Sequence, residues 1–427
     1  MRFLCLVWLV CGPANAVVPG DCSIIENPSL TGVANHASAR ADGDSWFAVE
    51  RLDTNLESVL GLRWYSGGVF QENRIMTTLG DLSANHAMYS PAMTWSGAAK
   101  VSVMMKEDGS GTTAAQLQVL SIDRDNIEAG TITAQELVPV DDNDHGRPDM
   151  AWNAVTELRH ACWTRNDPND VNNDDDDVMA KIRTEATWSD SDLEQVSNIA
   201  DPVLDEHCQI GFMHEGTRAI VYARSDVGIK VALDEGASID KVELPNADVA
   251  DNWPSISTAP GASATDVWVV ARDQNNDLRT WHCDGATGEP DCDATNDWTD
   301  EGTFDPGGGV LITDPHLVTV TVSSEVHHRF VLYEDTSAQL VRLLKWCEGN
   351  GDWTDAGPLP RTNTNYDDSP SEYIGPVPAP GSTMDAFLVE GTMLHATYIA
   401  QRDGESGLTS YDAMHWKVDA TDTDLCP

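Results

Sequence analysis

An all-β fold, a seven-bladed β-propeller of four-stranded blades, is what this sequence predicts. Three observations predict it. A unit of short apolar runs separated by turn residues recurs along the chain. Its opening prolines, Pro91, Pro148, Pro202, Pro254, Pro315 and Pro370, are separated by 57, 54, 52, 61 and 55 residues. One further unit, through Trp46-Phe47-Ala48-Val49, lies one period before Pro91 without a proline, which makes seven. Periods of this length with four strands each describe propeller blades, and radial closure leaves no long open sheet edge.

The clearest unit runs from Asp266 to Gly302. Its apolar run Val267-Trp268-Val269-Val270 ends in Ala271-Arg272-Asp273, a polar turn follows, and a second run passes through Leu278 and Trp281. Two β-rich runs around turn residues signal a hairpin. The second run of every unit ends the same way, in a charged residue followed by Asp. Arg51 and Asp53, Lys106 and Asp108, Arg165 and Asp167, Arg224 and Asp226, Arg272 and Asp273, Glu334 and Asp335, and Arg402 and Asp403 occupy this place. Asp suits it because its carboxylate bonds nearby backbone in a turn. The third run often carries Trp, as at Trp64, Trp281, Trp346 and Trp416, and the fourth recurs as Trp298-Thr299-Asp300-Glu301-Gly302 and Trp353-Thr354-Asp355-Ala356-Gly357.

Residues 1–16 read as a signal peptide: Arg2, an apolar segment from Phe3 to Cys11, and the small-residue site Ala14-Asn15-Ala16. No later run is long enough to span a membrane as a helix, and no linker rich in Pro, Gly or Ser separates the units. The expectation is therefore one propeller over 17–427, secreted or periplasmic. Seven cysteines follow the leader, and in an exported chain they predict disulfides. Cys22 and Cys426 stand at opposite ends of the mature chain, which a propeller brings together, so their bond is expected to lock the ring. Cys283 and Cys292 flank one loop, Cys162 and Cys208 lie in adjacent units, and Cys347 is left without a partner.

The formal charge is −45, from 70 acidic and 25 basic residues. That argues against a nucleic-acid partner and suits a chain that stays soluble in salt. Calcium is the one cofactor the acidic residues suggest. In the stretch from Asp141 to Asp149, the residues Asp141, Asn143 and Asp149, with Gly146, fit positions 1, 3, 9 and 6 of the calcium loops of integrin-type repeats, while His145 replaces an oxygen ligand. The plainer reading is an acidic connecting loop. His36, His207 and His316 fall near first-strand positions, either as a cluster in the central channel or as isolated polar residues. No zinc spacing, nucleophile elbow, P-loop or dinucleotide fingerprint occurs.

The unit "apolar strand, turn, L-x-x-W, loop, W-[ST]-D-x-G" resembles the repeats of bacterial lectin propellers and of the sialidase-like (Asp-box) superfamily. The lectin resemblance implies sugar sites between blades, built from Trp and polar side chains. The sialidase resemblance implies an arginine triad, an acid Asp and a Tyr–Glu nucleophile pair; an intact S-x-D-x-G-x-x-W box and an Arg-Ile-Pro segment do not occur here. Trp64, Trp253 and Trp346 are the expected aromatic platforms, with Arg224 and Arg272 adding hydrogen bonds at strand ends. In their plainer roles these Trp residues are core anchors and these Arg residues solvate hairpins. The functional expectation is a non-catalytic binding propeller for a glycan or another extracellular ligand. The alternative is a diverged sialidase-like glycoside hydrolase, which would need one convergent pair of carboxyls.

Overall fold

The computed structural model describes strands between Asp21 and Asp419 and short connections adjoining them. Side chains are described chiefly over 148–164, 207–260, 265–304, 312–359 and 392–426. Residues 1–16, with the expected leader, lie outside the described residues, as do Asp141 and Asn143.

Among the described residues the strands form seven antiparallel sheets, numbered here in chain order. Sheet 1 covers 33–75, sheet 2 covers 87–137, sheet 3 covers 149–195, sheet 4 covers 205–243, sheet 5 covers 252–304, sheet 6 covers 312–358 and sheet 7 covers 373–419. In sheets 2 to 6 four consecutive strands pair in sequence order, each a hairpin with the next, as the apolar runs and Asp turns dictate.

The first strands make a closed circuit. Val33–Ala41, Ala87–Trp95, Asp149–Asn153, Asp205–Phe212, Asn252–Pro260 and Ile312–Ser323 each touch the next. Asp385–Val389 of sheet 7 touches both Ile312–Ser323 and Val33–Ala41. The molecule is a β-propeller with these strands innermost. The termini meet as expected, but through backbone: Asp21–Ile24 adds to the outer edge of sheet 7, with Cys22 opposite Trp416.

The expected Cys22–Cys426 bond is corrected by this geometry. Cys426 is bonded to Cys347, the residue left unpaired in the sequence reading. The reason is local: Cys347 follows the third strand of sheet 6, and the turn after Asp419 brings Leu425 and Cys426 against it. The Leu425 carbonyl there accepts hydrogen bonds from Lys345 Nζ and Cys347 Sγ. Closure of the ring is left to strand pairing. The other bonds join Cys162 to Cys208, from sheet 3 to sheet 4, and Cys283 to Cys292 within sheet 5.

The proline repeat has a structural cause. Pairing of first and second strands is interrupted between Tyr89 and Ala92, Glu206 and Gln209, Asn252 and Ser255, and Thr313 and His316. These are β-bulges, and Pro91, Pro254 and Pro315 sit inside three of them. Proline lacks the N–H a ladder needs, so a bulge is where a sheet tolerates it. In sheet 4 the equivalent residue is Cys208; Pro202 precedes the strand.

The same register sets how one sheet holds the next. Asp149 Oδ2 accepts from the Ile210 amide at 2.8 Å, Gln209 Oε1 from Ile256 at 3.4 Å, and Ser255 Oγ from Leu317 at 2.9 Å. Each acceptor follows the proline position by one residue and each donor follows it by two. Apolar packing fills the space between sheet faces. Cys162, Tyr222 and Ile220 pack together between sheets 3 and 4, Val231, Val269 and Trp281 between sheets 4 and 5, and Trp268, Phe330 and Leu332 between sheets 5 and 6.

Candidate binding site at the inner-strand bulges

At the bulges of sheets 4, 5 and 6 the same repeat position holds His207, Trp253 and Asp314, with φ of 55°, 57° and 48°. This left-handed region costs a residue with a Cβ roughly 1–2 kcal/mol, and a following proline restricts its predecessor further. Trp253 and Asp314 both precede proline. Strain of this kind is held only where surrounding structure over-determines it, and it gathers at functional sites. The His207 and Trp253 rings stack at 4.0 Å between centroids, 21° apart, joining sheet 4 to sheet 5. Both are half-buried. His316 Nε2 lies 3.5 Å from Asp314 Oδ1 in sheet 6.

The Arg-Asp turns close the same end of the sheets. Arg224 pairs with Asp205 across the first two strands of sheet 4, and Arg272 with Asn252 in sheet 5. The two arginines differ. Arg224 is buried and its Nε donates to Asp226 Oδ1 at 2.7 Å. That bond, assisted by the Arg224 and Lys230 charges, holds the Asp226 carboxyl below its usual value.

Arg272 is half-buried and makes no ion pair among the described residues. Its neighbour Asp273 cannot serve, because that carboxylate is committed to the turn. It accepts from the Asn275 amide at 2.8 Å, the Asp277 amide at 2.9 Å and the Asn275 side chain at 3.3 Å. Burial lowers the Arg272 pKa from its ordinary value, and no carboxylate opposes the shift. Asp251, two residues before Trp253, is only 3% exposed. Its Oδ2 accepts from the Asp248 amide at 2.8 Å, while Oδ1 is buried without a hydrogen bond. Burial, helped by the charges of Asp273 and Asp248, pushes its pKa up to about 6 against the Asp248 backbone bond and Arg279.

The remaining expected site residues lie elsewhere. Trp346 belongs to a polar cluster between sheets 5 and 6. There the Arg329 guanidinium lies 3.6 Å from the Trp346 ring centroid and 5.3 Å from that of Trp268, and its Nη1 donates to Glu301 Oε2 at 2.6 Å. Asp266 faces His282 at 3.5 Å and His327 of sheet 6 at 3.6 Å, with His282 stacked on Trp268. Burial pushes the Asp266 carboxyl up, but His282, His327 and a bond with Asp284 together more than offset it, so its pKa lies below the usual value. The sequence reading missed this cluster. Its signal was present as polar residues alternating with apolar ones in buried strands. Trp64 stands opposite Trp46 in sheet 1, and its side chain is outside the described residues.

Asp149 of the expected calcium set lies on an innermost strand with one oxygen committed to Ile210. Among the described residues no group of three or more His, Cys, Asp or Glu is placed to hold a metal ion.

The W-T-D-x-G element is structural. Asp300 Oδ1 accepts from the Gly302 amide at 3.0 Å and Asp355 Oδ1 from Gly357 at 2.8 Å. Arg279 and Arg342 of the third strands bond the other oxygens. The glycines have φ of 94° and 108° at outer-strand bulges, which explains why Gly stands there.

No protein-family model matches the chain, and comparison with curated proteins finds no match. Comparison with solved structures does. An α-L-arabinanase of Penicillium chrysogenum, complexed with arabinobiose, matches at TM-score 0.50 and 8% identity over 96% of this chain and 99% of that one. A mutant sialidase of Trypanosoma rangeli displaying trans-sialidase activity matches at TM-score 0.46 and 8% identity, over 97% of this chain and 59% of that one. The SapL1 lectin, complexed with α-methyl fucoside, matches at TM-score 0.43 and 10% identity, over 77% of this chain and 96% of that one. At these identities the likeness concerns the fold alone. No helix among the described residues is long and apolar enough to cross a membrane.

Proposed function

We propose that this chain is an exported, non-catalytic propeller of seven blades that binds a glycan at the bulge end of its innermost strands. The observation that carries the reading is the stack of the strained Trp253 on His207 across sheets 4 and 5, with Arg272, which makes no ion pair among the described residues, opposite Asn252 in the strand register. A sugar takes an aromatic face for its C–H surface and charged donors for its hydroxyls, and both are supplied here. Propellers of similar fold include an arabinanase, a sialidase and a lectin crystallised with sugars or described as acting on them, which supports a carbohydrate ligand. Three disulfides, a net charge of −45 and the leader-like residues 1–16 support export.

Binding is favoured over hydrolysis because glycosidases need two carboxyls flanking the scissile bond, one raised in pKa and within reach of substrate. Among the described carboxyls at this end, Asp251 has a raised pKa but lies buried in its own loop, and Asp277, raised by burial and by the charges of Asp273 and Asp305, sits in the turn that Asp273 closes. The reading is tested with the purified mature chain on a glycan array, alongside turnover of a sialoside and an aryl glycoside. Binding without turnover, lost in Trp253→Asn, is expected; asparagine tolerates the left-handed backbone. Turnover abolished by a single carboxylate or tyrosine substitution would replace this reading with that of a diverged sialidase-like hydrolase.

A further inference from the structure

At the bulge of sheet 4 a disulfide stands where other sheets carry proline. Pro91, Pro254 and Pro315 lie inside the bulges of sheets 2, 5 and 6, and Cys208 holds that place in sheet 4. Proline fixes its own φ at about −65° and removes the N–H that would draw the chain back into the ladder. In sheets 5 and 6 it therefore fixes the backbone directly after Trp253 and Asp314, the residues in the left-handed region. A cysteine offers neither constraint, yet His207 before it has a φ of 55°, close to the 57° of Trp253 and the 48° of Asp314. The constraint comes from sheet 3 instead. Cys208 is bonded to Cys162 of the second strand of that sheet, and both residues are buried. Cys162 stands opposite Asp149 in the ladder, and Asp149 Oδ2 accepts from the Ile210 amide at 2.8 Å. Two adjoining positions of sheet 3 thus hold residues 208 and 210 of the innermost strand of sheet 4, one by a covalent bond and one by a hydrogen bond. Of the three disulfides among the described residues, this one alone reaches a bulge.

We infer that Cys162 and Cys208 are positioning residues of the binding site: their bond holds His207 in the left-handed conformation with its ring on Trp253, the work that proline does from within the strand in sheets 5 and 6. This inference rests on the proposed glycan-binding reading and adds to it two residues that place a side chain without touching the sugar. A disulfide ordinarily acts on the unfolded chain, by shortening a loop. Any pair at the same separation would serve that role, so it does not explain why the bond ends beside His207. Here the backbone at residue 208 cannot turn without moving sheet 3. Val178, Ala180, Ile210, Ile220 and Tyr222 pack around both cysteines, and a close-packed core of this kind is a rigid anchor. The stack on Trp253, at 4.0 Å between centroids, is a weaker hold. An aromatic pair stabilises by about as much as a left-handed φ costs. Without the bond, the stacked and unstacked states of His207 therefore lie close in energy, and the ring leaves Trp253 for part of the time.

The test compares the mature native chain with two double variants, Cys162→Ala/Cys208→Ala and Cys162→Ala/Cys208→Pro. Both lack the bond, and they differ only in whether the proline of the repeat is restored. Two quantities are measured on each, with thermal melts to establish folding. One is the NMR position of the His207 ring proton, which the indole ring current displaces while the rings are stacked; His207→Asn identifies the resonance. The other is binding to the glycan array. Both variants should melt below the native chain, since neither is cross-linked. In the alanine variant the His207 resonance should move toward its unstacked position, and array binding should weaken about tenfold, the upper end for loss of an aromatic pair. In the proline variant both should return to native values while the melting temperature does not. A bond that only stabilises would lower the melting temperature and leave the resonance and the binding of the alanine variant unchanged, which overturns the inference. A resonance displaced in both variants overturns it too. If the native chain binds nothing on the array, the glycan reading falls, and the resonance alone decides whether the bond positions His207. Should the alanine variant fail to fold, the proline variant decides by the same resonance; failure of both makes the bond a condition of folding and ends the inference.

Discussion

Two arginines on neighbouring sheets, Arg329 of sheet 6 and Arg272 of sheet 5, have opposite surroundings. Arg329 lies between sheets 5 and 6, 3% exposed, bonded to Glu301 at 2.6 Å and stacked on Trp346. Arg272, at the bulge end of sheet 5, is half-buried with no ion pair among the described residues, beside a residue in a strained conformation. Arg329 is consumed by the fold: its charge, stacking face and one donor are committed. Arg272 meets no carboxylate among the described residues. Aromatic and basic residues close together therefore do not mark a binding site by themselves. What separates a clasp from a site is whether the partners already satisfy each other. Trp346, an expected platform, is on the clasp side, and Trp253 is on the other.

The largest expected effect breaks the clasp. Arg329→Met should lower stability by about 3 kcal/mol, near the lower end for breaking a buried pair because Glu301 is partly exposed. The double variant with Glu301→Gln should recover most of that, since a pair replaced as a unit costs little. Chemical denaturation of the native chain, both single variants and the double variant measures it. A loss near zero in Arg329→Met would move Arg329 out of the clasp and remove the contrast.

Next in size is the effect of Asp251, which sits behind the bulge site. Its folded pKa of about 6 exceeds the unfolded value near 3.8. The folded state therefore holds the proton more tightly, and the stabilisation present below about pH 4 is lost as pH rises through 6. Asp251→Asn removes this dependence while its amide oxygen still accepts from Asp248. Relative to the native chain it should gain about 2 kcal/mol between pH 4 and pH 8. Melting curves of both proteins at the two pH values read the difference, and parallel curves would show that Asp251 is neutralised by a group not considered above.

Much of this architecture was legible in the sequence because it repeats. Pro91, Pro254 and Pro315 mark bulges, the Asp residues close turns, and Trp281 and Trp416 are fully buried as the repeat implies; Pro370 lies outside the described residues, and the innermost strand of its sheet begins only at Asp385. What was not legible depends on register between distant segments. A proline position can be filled by Cys208, so a search for proline placed the sheet 4 opening at Pro202, six residues early. Cys347 gave no sign of its partner, because the turn that delivers Cys426 is set by the chain after the last strand. Arg272 and Arg224 look alike in sequence. They part only because Asp226 lies two residues on, able to reach back, while Asp273 is adjacent and caps its own turn. Left-handed φ at His207, Trp253 and Asp314 had no compositional signal at all, since no glycine marks it.

The smallest expected effect tests that strain. Replacing a half-buried tryptophan in a regular strand by glycine loses packing and adds backbone freedom, at roughly 3 kcal/mol or more. Trp346, in the third strand of sheet 6 and covered by Arg329, should behave this way. Trp253 should not. Its φ of 57° already suits glycine, so Trp253→Gly relieves about 1–2 kcal/mol of backbone strain while losing the stack on His207. The two terms nearly offset, and the net change should stay within about 1 kcal/mol. Denaturation of Trp253→Gly and Trp346→Gly side by side gives the comparison directly. If both fall equally, the indole of Trp253 is held for packing, and its conformation reflects the fold alone. If only Trp346→Gly falls, the chain carries a strained, bulky residue at the bulge that its stability does not require, and the reason for it must be sought in what the indole touches from outside.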